Sequence, residues 1–320
     1  MKTLVVRVIA FLAYVTGLDS LFYYLNRNAK RIITFHNILT DDLFREGMAN
    51  GVSCNLSSFL KIIKECRKRF PVSNDLFDPK TLTITFDDGY LNQYTVAFKV
   101  LKGQNLPAYV FVSDMGEEEL LVDKLLHWVA EAPIGLIPGG NRRRYWGSEI
   151  WPRFVADFER MGRTVLEELD KAYPYAKIRS SLPVAYCRER LTRIPDECLD
   201  EMRNAGWAVG WHTVSHYPLS RLSEDILKKE LDSPNEFRNV CLSYPYGNPV
   251  EVGSGTVRMA EAFGYPCAVS NTNTDPANKS SFFLPRMSLP ANKYRLHFRL
   301  SGLEHLIKYG HLLPIIEKTK

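Results

Sequence analysis

Short runs rich in β-branched and aromatic residues alternate along the chain with segments of helical apolar spacing, and that alternation suits strand–helix–strand units better than hairpins. The first run, 32–35, ends at His36; the second, 82–86, ends at Asp87-Asp88-Gly89. From 90 a helix-like segment continues to 101, stops at Gly103 and passes Pro107 into the apolar run 108–112, giving one complete βαβ unit. A second unit is equally legible. Residues 195–205 read as a helix closed by Gly206, 207–211 as a strand, and Ser223 as the N-cap of a helix to about 231 with Glu224 and Asp225 in its first turn. The runs 240–244, 267–270 and 282–287, with a helical stretch 256–263 stopped by Gly264, complete the series.

The count is about seven strands, each followed by helix or loop, which predicts an α/β fold: an incomplete barrel of parallel strands with outer helices. The stretch from about 116 to 181 breaks the rhythm with Pro133, Pro138, Gly139-Gly140, the Arg142–Arg144 run and a helix-like segment 154–173. It reads as an inserted subdomain or lid. The expected division is an N-terminal apolar helix in 1–30, a catalytic domain in 31–300 carrying the insertion, and a tail in 301–320.

The N-terminal run 8–18 follows Lys2 and Arg7 and precedes Asp19-Ser20 and a second apolar stretch, 21–25. It falls short of the roughly 20 apolar residues that span a bilayer. A basic flank before a short apolar run resembles a signal peptide, but no small-x-small site follows and Asp19 is awkward there. The expectation is a helix that makes peripheral membrane contact through residues 4–25 or docks on the domain. Without a signal the location would be cytoplasmic, at or near the inner face of the membrane, with export left open.

Composition excludes some classes. Hydrophobic residues at 45% and charged residues at 24% are ordinary globular usage, against a disordered, fibrous or multi-span chain. The net charge of +5 is mild and the basic runs are short, so no nucleic-acid partner is expected. Six cysteines without close spacing read as buried or incidental thiols.

The chemistry concentrates in three segments. Asp87 and Asp88 follow a strand directly, at the end where barrel active sites are built, although Asp-Asp-Gly alone also makes an ordinary turn. His212 and His216, an i, i+4 pair after the run 207–211, can present two imidazoles on one side of a helical turn. Both segments sit at C-terminal ends of parallel strands and so share one face. One carboxylate with two imidazoles is a three-ligand set that leaves a position open, the pattern of catalytic zinc; ferrous iron or another divalent ion suits it too. The spare carboxylate can then act as base toward a water whose pKa the ion lowers. In the third segment, Ser243-Tyr244-Pro245-Tyr246-Gly247, a backbone N–H near Tyr246 could bind the oxyanion formed when water adds to an amide or ester; the bland reading is a Pro-Tyr-Gly turn. Arg286, ending another candidate strand, could pair with Asp87 or be an ordinary surface residue.

The succession Thr85–Tyr90, His212–His216 and Tyr244–Gly247 resembles the polysaccharide deacetylases of the NodB-homology type, carbohydrate esterase family four. The likeness covers roughly 31 to 287, the insertion apart. It implies a distorted barrel of about seven strands and hydrolysis of N-acetyl, sometimes O-acetyl, groups on sugars. By the same resemblance Asp87 would be the base, Asp88, His212 and His216 would hold one divalent ion, zinc being the commonest, and Tyr246 would supply the oxyanion N–H. Tyr90, Pro245 and Gly247, in the same motifs, would touch substrate.

Two departures stand out. Family members often carry a base-tethering arginine where this chain has Ser243, which makes Arg286 the candidate replacement. Many also have a C-terminal Leu-x-His whose histidine protonates the leaving amine; here the nearest string, Arg295-Leu296-His297, has an unusual context. His36, emerging after the first strand on the same face, is the proposed acid, with His297 its main rival and a merely structural role for His36 still open. The leading reading is a metal-dependent N-deacetylase acting on an N-acetylated amino sugar in a polysaccharide, oligosaccharide or lipid-linked precursor, as in surface-polysaccharide pathways. The alternatives are a carbohydrate-binding pseudoenzyme and a cyclic-amide hydrolase of the same fold.

Overall fold

A computed structural model describes residues 2–45, 47–48, 52–114, 119–271 and 280–316. Its strands are β1 (Arg31–Phe35), β2 (Asn37–Leu39), β3 (Ser53–Asn55), β4 (Leu82–Phe86), β5 (Tyr109–Val112), β6 (Ala208–Trp211), β7 (Leu242–Ser243), β8 (Ala268–Ser270) and β9 (Leu284–Pro285). Seven of them form one all-parallel sheet in the order β1-β4-β5-β6-β7-β8-β9, while β2 and β3 pair separately. Chain order equals sheet order. Past β9 the chain returns to β1: Met287 bridges Ile33 in parallel, with its N–H on Ile32 O at 2.9 Å and its carbonyl accepting from Thr34 N at 3.1 Å. That bridge nearly closes the distorted barrel the sequence predicts. Every residue of β1 and β4 is buried, as parallel strands covered on both faces require.

The expected strand 240–244 is reduced to β7 and 282–287 to β9, although single bonds continue beyond them, from Tyr244 N to Val269 O at 3.2 Å and from Arg286 N to Ser270 O at 2.9 Å.

The insertion lies between β5 and β6 and is helical. Its expected start, Gly116, falls outside the described residues. Its expected end at 181 coincides with the end of the helix Tyr175–Ser181, and the helix Val184–Leu191 follows before β6. The expected helix 154–173 is two, Trp151–Ala156 and Arg163–Ala172, broken at Gly162, whose φ of 81° and closeness to the Phe154 ring leave no room for a side chain. The subdomain has its own core, including Leu125, Trp128, Ile150, Phe154, Val165 and Ile178. Arg142, from the basic run, closes the helix Leu121–Glu131 by donating to Val129 O and Ala132 O at 2.6 and 2.7 Å.

At the N-terminus, helices Lys2–Val15 and Leu18–Leu25 meet at an 81° bend. Among the described residues no single helix is long and apolar enough to cross a membrane. Ala10, Ala13 and Phe22 pack on Phe298 and Leu303, and Asn26 Nδ2 donates to Ser301 O at 2.9 Å. The stretch after 300 includes another helix, Leu303–Tyr309.

Candidate active site

Asp87 is the first residue after β4, its N–H still bonded to Phe35 O of β1 at 3.0 Å. Its carboxylate is 1% exposed and receives two bonds from the Arg286 guanidinium, Nη1 to Oδ1 at 2.7 Å and Nη2 to Oδ2 at 2.6 Å. Ser243 Oγ adds a third to Oδ1 at 3.0 Å. Arg286 is itself fixed by Thr85 Oγ1 at 3.2 Å and Asn271 Oδ1 at 2.9 Å. Burial alone would raise the Asp87 pKa, but Arg286 above all, with His212 and His36, outweighs it and holds the carboxyl at about 2.

Beside it, one atom each of Asp88, His212 and His216 lie within 4.8 Å of one another. Asp88 Oδ1 is 3.4 Å from His212 Nε2 and 3.2 Å from His216 Nε2. That oxygen is buried without a hydrogen-bond partner, an arrangement costly unless something else satisfies it. His212 Nδ1 meets Ser243 O at 2.7 Å, the outer contact that leaves Nε2 free as a ligand. Oxygen and imidazole donors in this number fit a divalent cation.

Backbone strain gathers at the same place. Asp88 (φ 80°), Thr213 (φ 67°), His216 (φ 54°) and Tyr246 (φ 60°) are four of the six described non-glycine residues with left-handed φ, a conformation held only where surroundings impose it. Gly89 shows how: a Cβ there would lie 2.8 Å from Val112 Cγ1, so the Asp-Asp-Gly turn is pressed directly onto β5. The histidine pair is not on a helical turn, as its spacing suggested. It rides a loop whose Val214 and Ser215 N–H groups bond the buried Glu230 carboxylate at 3.0 and 2.9 Å, and the two left-handed residues bring the imidazoles together, with ring centroids 4.9 Å apart.

Tyr246 follows β7. Its ring packs on His216 at 4.8 Å, its hydroxyl donates to His216 O at 3.2 Å, and Asn271 Nδ2 holds its carbonyl at 2.8 Å. Among the described residues none accepts a bond from its N–H. Pro245 and Gly247 are buried and form the turn beneath it, with Gly247 N bonded to Pro245 O at 2.6 Å. From the insertion, Trp151 packs edge-on against Tyr246 at 5.0 Å and Trp146 lies 6.1 Å from Trp151, both tryptophans partly exposed.

His36 emerges after β1 with its side chain 20% exposed and Nε2 3.8 Å from Asp87 Oδ2. Burial, with Arg286 and His212, pulls its pKa below the ordinary value against the opposing pull of Asp88 and Asp87. His297 is elsewhere: its Nδ1 meets Tyr23 OH at 3.0 Å and its Nε2 lies 3.4 Å from Glu65, so it helps dock the N-terminal helices. Tyr90, expected to touch substrate, is 1% exposed. Its hydroxyl donates to Asp123 of the insertion, and the Arg190 guanidinium lies 4.7 Å over its ring. That pair was not anticipated: Arg190 donates to Asp123 at 2.8 and 3.2 Å, both fully buried. Nor were Gln93, which bonds both the His36 and Asp87 carbonyls, or Glu230. For Asp123 the available signal was a carboxylate on the apolar side of an amphipathic helix.

No family model matches the chain, and no curated protein matches it. Among solved structures, IcaB from Ammonifex degensii is similar with a TM-score of 0.50 and 15% identity, over 85% of this chain and 97% of that one. The Streptococcus pyogenes deacetylase PplD, in complex with acetate, gives 0.48 and 17% over 82% and 93%. The BpsB deacetylase domain from Bordetella bronchiseptica gives 0.44 and 16% over 82% and 96%. Identities this low speak to architecture alone, and the IcaB likeness carries it: this chain has the NodB-type deacetylase fold that its motifs resemble.

Proposed function

We propose that the chain is a metal-dependent hydrolase that removes N-acetyl groups from an N-acetylated amino sugar in a polysaccharide, oligosaccharide or lipid-linked precursor. The observation that carries this reading is the adjacency of Asp87, ionised and gripped by Arg286, to the convergent Asp88, His212 and His216. Those three would hold the ion, zinc by the resemblance. A divalent ion there supplies Lewis acidity, lowering the pKa of water and polarising a carbonyl. Asp87 takes the proton of the attacking water, its orientation set by Arg286 and Ser243. The water oxygen bonds to the acyl carbon, and the Tyr246 N–H donates to the oxyanion that develops. As the carbon–nitrogen bond breaks, His36 gives a proton to the departing amine, leaving acetate and a free amino sugar. The partly exposed row Trp146, Trp151 and Tyr246 offers apolar faces to a sugar ring beside the ligands.

The test is acetate release from N-acetylated amino-sugar oligomers by the purified, zinc-loaded chain. Asp87→Asn should keep its metal and lose about 10²–10⁴-fold in rate. Metal and oligosaccharide binding without acetate release would favour a pseudoenzyme, and turnover of ring amides alone a cyclic-amide hydrolase.

A further inference from the structure

Beyond Arg7 the helix Lys2–Val15 carries only apolar and aromatic residues. Val6, Ala10 and Ala13 face the protein, whereas Leu4, Val8, Leu12 and Val15 are each at least 50% exposed. Leu21 and Tyr24 extend that face onto the helix Leu18–Leu25. Eleven of the 21 large hydrophobics exposed among the described residues lie between 4 and 25. A helix of this kind belongs in a core or against lipid, and an apolar patch this concentrated marks an interaction surface.

The rim identifies the partner. Lys293 Nζ lies 4.5 Å over the Tyr14 ring, the Arg69 guanidinium 5.0 Å over Tyr23 and that of Arg27 4.4 Å over Tyr24, while Arg7 is exposed on the helix itself. Residues 4–25 hold one carboxylate, Asp19, and it is buried. Tyrosines and cations around an apolar face suit the boundary between acyl chains and anionic headgroups; a second copy of the face would set cation against cation. The helix Lys2–Val15 has 14 residues, about 21 Å at roughly 1.5 Å per residue, short of the roughly 30 Å hydrocarbon core. The 81° bend turns the second helix away from any continuous span. We propose that residues 4–25 are a docking surface for an anionic lipid bilayer, lying in the plane of its interface and tied to the body through Asn26–Ser301 and Tyr23–His297. The proposal is independent of the hydrolase reading.

Flotation of the purified full chain with phosphatidylcholine vesicles, with and without about one-third phosphatidylglycerol, tests it. The wild type should float with the anionic vesicles and release partly at high salt. Val8→Asp and Leu12→Asp, both at exposed positions, should each lower partitioning about tenfold or more with an unchanged melting temperature. Val184→Asp, a control at an 85% exposed site on the insertion, should float like the wild type. Failure of the wild type to float, flotation of the two variants equal to wild type, or equal loss in the Val184→Asp control would overturn the proposal. So would concentration-dependent self-association in place of lipid binding that Leu12→Asp abolishes, since the face would then join two copies.

Discussion

Arg286 and Asp87 meet through two parallel hydrogen bonds, 2.7 and 2.6 Å long, with both side chains excluded from water. The partners come from the ends of β9 and β4, 199 residues apart. Burial disfavours the carboxylate and the guanidinium more than offsets it, so the carboxyl titrates at about 2. The ionised form, needed for a base, is therefore complete above the ordinary value of 3.8 and is lost only as pH falls through about 2. Arg286→Met removes the largest stabilising charge and keeps the burial, which moves the acidic limb of kcat/KM upward. At pH 5 the variant should fall about tenfold or more relative to its own rate at neutral pH, while Asp87 imposes no such drop on the wild type. A pH–rate profile with its acidic limb unmoved would show that Arg286 does not set the ionisation of the base.

Metal binding should depend on each of Asp88, His212 and His216. With Asp88 Oδ1 buried and unpartnered, an ion at this site removes a standing desolvation cost. Added zinc at about 100 times its Kd should stabilise the wild type by about 2.7 kcal/mol, read as a rise in melting temperature that a chelator reverses. His212→Ala and His216→Ala should lose both the rise and the ion. Full metal content by elemental analysis in both variants would reject the site.

The legible part of this protein is what the parallel topology does to strand ends. Asp87, His212 and Arg286 each follow a strand immediately, so a reading that found the strands also found their shared face. The pairings within that face were open, and Arg286 could as easily have faced solvent. What stayed hidden depends on long-range contact. Nothing local tells Asp123 that Arg190, 67 residues on, will bury against it, or that Tyr90 will turn from the cleft to join them. The i, i+4 spacing of His212 and His216 suggested a helix, and Glu230, a tertiary partner, overrode it. Strands β2 and β3, three residues each, are too short for periodicity to show. The helix Leu56–Arg67 did carry its signals, with Asn55 capping Ser58 N and Phe59, Ile62, Ile63 and Cys66 along one side.

The Asp123–Arg190 pair gives the insertion a prediction of its own. It joins the helices Leu121–Glu131 and Val184–Leu191, and Tyr90 ties it to the Asp87–Gly89 turn. Arg190→Met should destabilise by about 3–5 kcal/mol, because it strands a buried carboxylate. Adding Asp123→Leu should restore much of that loss, since well-packed apolar residues often replace a buried pair at little cost. Denaturant titration of wild type, both single variants and the double variant measures the coupling; additive effects would mean that the two side chains do not act as a pair.

The proposal that His36 is the leaving-group acid rests on position. His36 leaves β1 on the face that carries Asp87, with Nε2 3.8 Å from Asp87 Oδ2 and a fifth of its side chain open to solvent. His297 is engaged with Tyr23 and Glu65 where the N-terminal helices pack on the body of the protein. An acid must be protonated to act, and burial lowers the His36 pKa from 6.5. Activity that requires it should therefore decline as pH rises through a value below the ordinary histidine range. Two substrates separate this role from a structural one. With a poorly departing amine, His36→Ala should lose about 10²–10⁴-fold together with the basic limb of the profile. With a leaving group that needs no proton, the same variant should stay near wild type, and His297→Ala should be mild on both. Equal small losses on both substrates for His36→Ala would remove it from the reaction and leave it as a strand-end residue.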